Sequence, residues 1–301
     1  MSIQYIVAHR KDPNNVGDIA SNPLQYFLSS DQYQTIDIAN LKNENYDSSI
    51  PLILGGGGLL GNNFFGDVAD EVLTTPDRQQ LQALGEAEWK LVNHKHSVIH
   101  QDFKNKYREL IAQTLEQIPE TTGPKYIWGA GHNDLSESNT LKYSKFLSEY
   151  RAVGIRDYQE GSKYDWVPCA SCLHPALRGN YTIKNDVIWF EHKKQLIKDF
   201  GNDPIPRFVN SGANIEQTIE LLGSANIILT NSYHGAYWGT LLGKRVVVVD
   251  AWSTKFTRMK HTPAFKHKKG TWQEAAETAK TYPDALNECI NVTQQFWDRI
   301  R

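Results

Sequence analysis

Short apolar runs, each broken by a small or polar cluster, recur along the chain and predict its elements. In residues 226–252 the run Ile227, Ile228, Leu229 stops at Thr230, Asn231 and Ser232, and Val246 to Val249 stop at Asp250. Runs this short and uniformly apolar read as parallel strands buried on both faces. Between them, residues 233–242 mix apolar and small side chains over helix length and end at Gly243, a left-handed cap. The unit is strand, helix, strand. The same reading predicts strands over 2–8, 33–39, 50–54, 125–128 and 153–155 in the first half, and over 186–190 and 206–210 in the second. Helices are expected over 19–29, 77–117, 138–150, 215–223, 272–280 and 285–300. Such alternation predicts parallel sheets flanked by helices.

Candidate chemistry collects at the predicted carboxyl ends of strands, where helix starts offer unpaired N–H groups. His234 falls there, beside Asn231 and Ser232. An imidazole at a helix start is suited to proton transfer or anion binding, although it also serves as a packed cap. Asn15, Gly17 and Asp18 occupy the first strand-to-helix crossing, where a turn and helix cap explain them as well. Gly55 to Gly58 follow the third strand and permit close backbone approach by a ligand or another segment. No Gly-Lys-Ser/Thr follows them, and the spacing is not that of a dinucleotide fingerprint. Residues 129–133 read Gly-Ala-Gly-His-Asn, another small-residue crossing, with two polar side chains, His132 and Asn133, at its tip. Arg156, at the end of the fifth strand, suits bidentate binding of carboxylate or phosphate, or a structural pair with Asp157. His192 ends the first strand of the second half. Lys255, Arg258, Lys260, His261, Lys266, His267, Lys268 and Lys269 form a basic run that either solvates a face or closes over a polyanion.

The 301 residues are enough for two domains. The prolines and composition change in residues 165–175 divide the chain into 1–165 and 166–284, with a last helix over 285–301 that can cross back. A formal net charge of -2 gives no field that would recruit nucleic acid or an anionic membrane. Residues 1–7 lack the apolar core of a signal peptide, and no run approaches membrane-spanning length, so no transmembrane segment and a cytoplasmic location are expected. Cys169, Cys172 and Cys289 make an odd count, against a disulfide framework, and the Cys-x-x-Cys reads as two packed thiols in a loop. His96 and His100 have the spacing of a helical metal pair but no accompanying motif, so no metal is expected.

Together, Asn-x-Gly-Asp after the first strand, Gly-Gly-Gly after the third, Gly-Ile-Arg-Asp before Val-Pro-Cys-x-x-Cys, and Ser-Tyr-His-Gly in the second half resemble the polysaccharide pyruvyl transferase family, from Asn15 to Asp250. The resemblance implies an α/β fold of two Rossmann-like domains facing across a cleft, the glycosyltransferase-B-like architecture. It implies a transferase that moves the enolpyruvyl unit of phosphoenolpyruvate onto two hydroxyls of one sugar, releasing phosphate, with no cofactor or metal. The sugar would be carried on a nucleotide, lipid or polymer. His234 then becomes the catalytic acid and Arg156 a donor-binding residue. Family members often carry arginine where this chain has Ser232, so another cation, from Lys255, Arg258 or His192, must supply that charge. The first domain becomes the acceptor side, with Asn15, Asp18, Gly56, Gly57 and Asn133. A sugar-nucleotide glycosyltransferase of the same fold, or an inactive sugar-binding relative, are the competing readings.

Overall fold

The computed structural model describes residues 2–38, 41, 44–59, 121–132, 147, 149–193, 204–212, 214–251, 253–267 and 269–301. The helix expected over 77–117, most of that over 138–150, His96, His100 and Asn133 lie outside them.

The fold is α/β, with two parallel sheets flanked by helices, an arrangement consistent with Rossmann-like folds. The first sheet holds β1 (Tyr5–His9), β2 (Tyr33–Asp37), β3 (Leu52–Gly55), β4 (Lys125–Ala130), β5 (Ala152–Ile155) and β6 (Asp165–Trp166), in the order β2-β1-β3-β4-β5-β6. The second holds β7 (Asn185–His192), β8 (Arg207–Asn210), β9 (Ala225–Thr230), β10 (Arg245–Val248) and β11 (Ala264–Phe265), in the order β11-β10-β9-β7-β8. Every pairing is parallel. In each sheet, therefore, the strands end on one side.

Alternation along the strands explains the double burial. Ile6, Ala8, Leu52, Leu54 and Ile127 enter one cluster, while Val7, Ile53, Tyr126 and Trp128 enter another on the opposite face. The second sheet does the same, with Ile228, Val246 and Val248 on one face and Ile227, Leu229 and Val247 on the other. Apolar residues at consecutive positions are what two covered faces demand.

Among the described residues the α-helices are α1 (Val16–Ala20), α2 (Ile215–Gly223), α3 (Tyr233–Leu241), α4 (Trp272–Thr278) and α5 (Ala285–Ile300). The helix expected over 19–29 is a shorter α1 followed by a separate 3-10 turn at Leu24–Tyr26. Pro23 has no N–H to continue the ladder, and the Asn22 side chain accepts from Leu24 N at 3.0 Å instead. Among the later helices, α5 joins two cores: Ala285 and Cys289 pack with the second sheet's cluster, and Phe296, Trp297 and Ile300 with β1, β3 and β4. Shorter links also run between the halves, through an Asn15 to Gly212 bridge, Lys193 Nζ to Asp12 Oδ2 at 2.5 Å, and Tyr158 N donating to Arg258 O at 2.8 Å.

Candidate active site

At the end of β9 the backbone turns sharply into α3. Thr230 Oγ1 donates to Phe190 O at 2.5 Å and accepts from Ser232 N at 2.9 Å, which fixes that turn. Close helix-to-strand approach needs glycine here. A Cβ on Gly235 would come within 2.6 Å of both Phe190 and Thr230, and one on Gly239 within 2.8 Å of Ile228. All nine residues of α3 are buried, so the helix has no polar face and its start is an interior site.

His234 sits on the first turn, clamped from three sides. Its Nε2 lies 3.6 Å from Cys169 Sγ, and its ring centroid 4.8 Å from that of Trp238. On the third side is α1, where a Cβ on Gly17 would fall 1.9 Å from His234 Nδ1. The Asn-x-Gly-Asp and Ser-Tyr-His-Gly segments, more than two hundred residues apart, therefore meet at one imidazole.

Arg156 reaches the same place from the end of β5. Its guanidinium carbon lies 4.1 Å over the Tyr233 ring, and its Nη2 is 3.4 Å from His132 O. Gly131 leaves the room this takes, since a Cβ there would meet Arg156 Nε at 2.1 Å. Arg156 Nε also stands 3.6 Å from Asp157 Oδ1, too long for a hydrogen bond. The ion pair with Asp157 and the placement beside Tyr233 and His234 hold at once.

Lys255 is the second buried cation, 7 % exposed. Burial, and then the Arg156 charge, push its ammonium well below the usual lysine range, with partial relief from Asp18. Burial, followed by Arg156 and Lys255, pushes His234 down to about 3, so the ring is neutral near pH 7. Asp18 moves the opposite way: burial and then Asp12 raise its carboxyl to about 7, against the pull of Arg10 and Lys193. Two cations crowd a neutral imidazole beside a carboxyl that is about half protonated near neutrality.

Beside them stands a second histidine. His132, 2 % exposed, follows β4, and its Nδ1 lies 2.5 Å from Asp157 Oδ2, which also accepts from His132 N at 2.7 Å. Among the described residues, His132 Nε2, Arg156 Nε, Thr254 Oγ1, Asn210 Oδ1 and His9 Nδ1 are buried without a hydrogen-bond partner. Buried polar atoms are nearly always paired. Two of these belong to His132 and Arg156 themselves, Asn210 adjoins Ser232 and Thr254 precedes Lys255, while Tyr46, Trp128 and Tyr164 hold such atoms elsewhere.

The other sequence candidates divide. Ser232 lies at the start of α3, its Oγ accepting from Asn210 Nδ2 at 3.0 Å. The backbone N of His192 donates to Asn231 Oδ1 at 2.7 Å. Asn15 caps α1 by accepting from Gly17 N at 3.2 Å, the structural role its residue type suggests. Gly56 and Gly57 both have positive φ; Gly56 packs on Ser21, and Gly57 O accepts from Gly131 N at 3.0 Å, which ties that loop to the β4 crossing. Arg258 gives its carbonyl to Tyr158. Within the basic run, Lys260 and His261 both pair with Glu288 of α5. The sequence places His132 at a strand-end crossing without a role, and gives no sign of the contact of Cys169 with His234. His132 shared the strand-end signal used for His234 but had no motif of its own.

Among the described residues no group of three or more His, Cys, Asp or Glu side chains could hold a metal ion, and no helix is long and apolar enough to cross a membrane. Cys169, Cys172 and Cys289 are free and buried.

No family model and no curated protein matches the chain. Among solved structures, an uncharacterized protein from Klebsiella pneumoniae subsp. pneumoniae NTUH-K2044 is 15% identical, with a TM-score of 0.41 over 88% of this chain and 93% of that one. The functional reading rests on the chemistry of the site.

Proposed function

We propose that this chain is a pyruvyl transferase, moving the enolpyruvyl unit of phosphoenolpyruvate onto two hydroxyls of one sugar as a cyclic ketal and releasing phosphate. One arrangement supports the reading: buried Arg156 lies over the Tyr233 ring, which packs edge-on against His234, and the charges of Arg156 and of buried Lys255 both oppose protonation of His234. Asp157 and Asp18 offset part of the positive charge that Arg156 and Lys255 bring into the interior, and a bound anion would offset more of it. Phosphoenolpyruvate brings two anionic groups on a small frame. Lys255 acts on His234 directly, which supports it as the cation that replaces the family's arginine at Ser232.

Donor binding changes the acid. Its negative charges favour the imidazolium, so His234 gains a proton as the donor enters and can pass it to the methylene carbon. A sugar hydroxyl attacks the resulting electron-poor C2 and loses its proton. The phosphate then leaves, the second hydroxyl closes the ring, and its proton is released. Of the two hydroxyl protons, one balances that given to the methylene and the other accompanies phosphate. In this reading residues 1–165 and 166–284 are domains facing across a glycosyltransferase-B-like cleft, with Asn15, Asp18, Gly56, Gly57 and Asn133 toward a sugar carried on a nucleotide, lipid or polymer in the cytoplasm.

Incubation with phosphoenolpyruvate and a panel of nucleotide-, lipid- and polymer-linked sugars tests it. A mass gain for the ketal with stoichiometric inorganic phosphate is expected. Release of a nucleotide from a sugar-nucleotide donor instead, without phosphate, would replace pyruvyl transfer with glycosyl transfer.

A further inference from the structure

The histidine that the motifs do not mark is built like a catalytic base. His132 Nδ1 lies 2.5 Å from Asp157 Oδ2, and in the tautomer whose Nδ1–H donates to that carboxylate the ring's lone pair is on Nε2. Nε2 is buried and has no hydrogen-bond partner among the described residues. A ring held only to stiffen the crossing would leave that nitrogen's desolvation uncompensated. Arg156 joins this pair to the rest of the site: its Nη2 meets His132 O at 3.4 Å, and its guanidinium covers Tyr233, whose ring is 5.2 Å from that of His234. Gly131, directly before His132, is what lets the guanidinium lie there. One arginine therefore separates two histidines of opposite design, one opposed by buried cations and one backed by a carboxylate.

We infer that His132, oriented by Asp157, is the general base that deprotonates the acceptor hydroxyl, while His234 serves the donor. This rests on the pyruvyl transfer reading. As the hydroxyl oxygen bonds to C2 of the donor, its proton moves to His132 Nε2; as the C2–O bond to phosphate breaks, the imidazolium returns that proton to the departing phosphate. The base ends neutral, and neither oxidant nor metal takes part. Asp157 is a positioning residue here, holding the tautomer.

Two substitutions separate a base from a brace. His132→Asn keeps a side-chain N–H near the Nδ1 position, able to bond Asp157, and removes Nε2. His132→Ala removes both. Each is compared with wild type for thermal melting, for binding of phosphoenolpyruvate by calorimetry, and for ketal formation on whichever acceptor wild type uses. His132→Asn is expected to melt like wild type and bind donor equally well while kcat falls about a hundredfold to ten-thousandfold, the usual worth of a positioned base. Turnover near wild type in a folded His132→Asn would overturn the inference and leave pyruvyl transfer standing. Loss of turnover in His132→Ala alone, together with its melting temperature, identifies a brace and also overturns it. No ketal from wild type on any acceptor removes the pyruvyl transfer reading itself, and the base with it.

Discussion

Gly17 lies within α1 at ordinary helical dihedrals, so its role is space rather than backbone freedom. A methyl group there would occupy the position of His234 Nδ1, 1.9 Å away. Gly17→Ala should therefore displace the imidazole, cutting transfer sharply while costing about 1–3 kcal/mol by overpacking. Paired assays of turnover and urea unfolding check this; full activity with native stability would show that the ring has room to spare. The ring's charge is equally testable. His234 titrates at about 3 in the free protein, and a bound anion favours its protonated form. The complex then holds more protons than the free protein, so donor affinity falls as pH rises, up to about tenfold per unit, until pH passes the ring's pKa in the complex. Calorimetry in buffers of different ionisation heat should register proton uptake for wild type and less for His234→Gln. Equal uptake in both places the proton elsewhere. The strand-end positions of His234 and Arg156 were legible in the sequence because short apolar runs mark where buried parallel strands stop. The Gly17 contact and the His132 to Asp157 pair were not, because each joins segments on different elements and no local pattern encodes which strand end faces which.

At the scale of elements, period and punctuation carried α2 and α5, whose bounds agree with expectation: one begins after Asn214, whose side chain accepts from Gln217 N, and the other runs to Ile300. The helix expected over 19–29 runs past a break that Pro23 signals in the sequence and that the Asn22 hydrogen bond to Leu24 N completes. Strand ends drifted similarly: β4 runs on to Ala130 through Gly129, whose positive φ accompanies a register shift against β5. A glycine that reads as a stop is there a bulge. The α5 helix carries a prediction of its own, because Trp297 stacks on Phe27 at 5.1 Å and on Trp128 at 5.8 Å between centroids and is 6 % exposed. Trp297→Ala should lower unfolding free energy by about 3–5 kcal/mol. Because Cys289 and Ala285 of the same helix pack in the second sheet's core, fluorescence and circular dichroism should show both halves losing stability. A loss below about 1 kcal/mol would mean the helix end is held independently of the tryptophan.

Across the whole molecule, the buried site groups bend stability against pH in opposite directions. His9 is pushed down to about 4 by burial and then by Lys11, and His234 to about 3, both from 6.5. Between about pH 4 and 6.5 the unfolded chain binds protons at these rings that the native state refuses, so stability rises with pH in that window and is lost as pH falls. Asp18 has its carboxyl raised from 3.8 to about 7. Between those values the native state keeps a proton the unfolded chain has released, so its contribution falls as pH rises. Two histidines against one carboxyl leave a net uptake of about one proton on unfolding near pH 5.5 from these groups, and removing Asp18 leaves about two. Urea midpoints for wild type and Asp18→Asn between about pH 4.5 and 6.5 should both rise with pH, the variant more steeply. Above pH 7 the variant should be the more stable of the two, since wild type must then bury an ionised carboxylate. Parallel curves would show that Asp18 ionises as freely in the native protein as in the unfolded chain. On the pyruvyl transfer reading the same balance bears on function, because a carboxyl that is largely uncharged below pH 7 would not repel an anion bound near Arg156 and Lys255, and one ionised above it would.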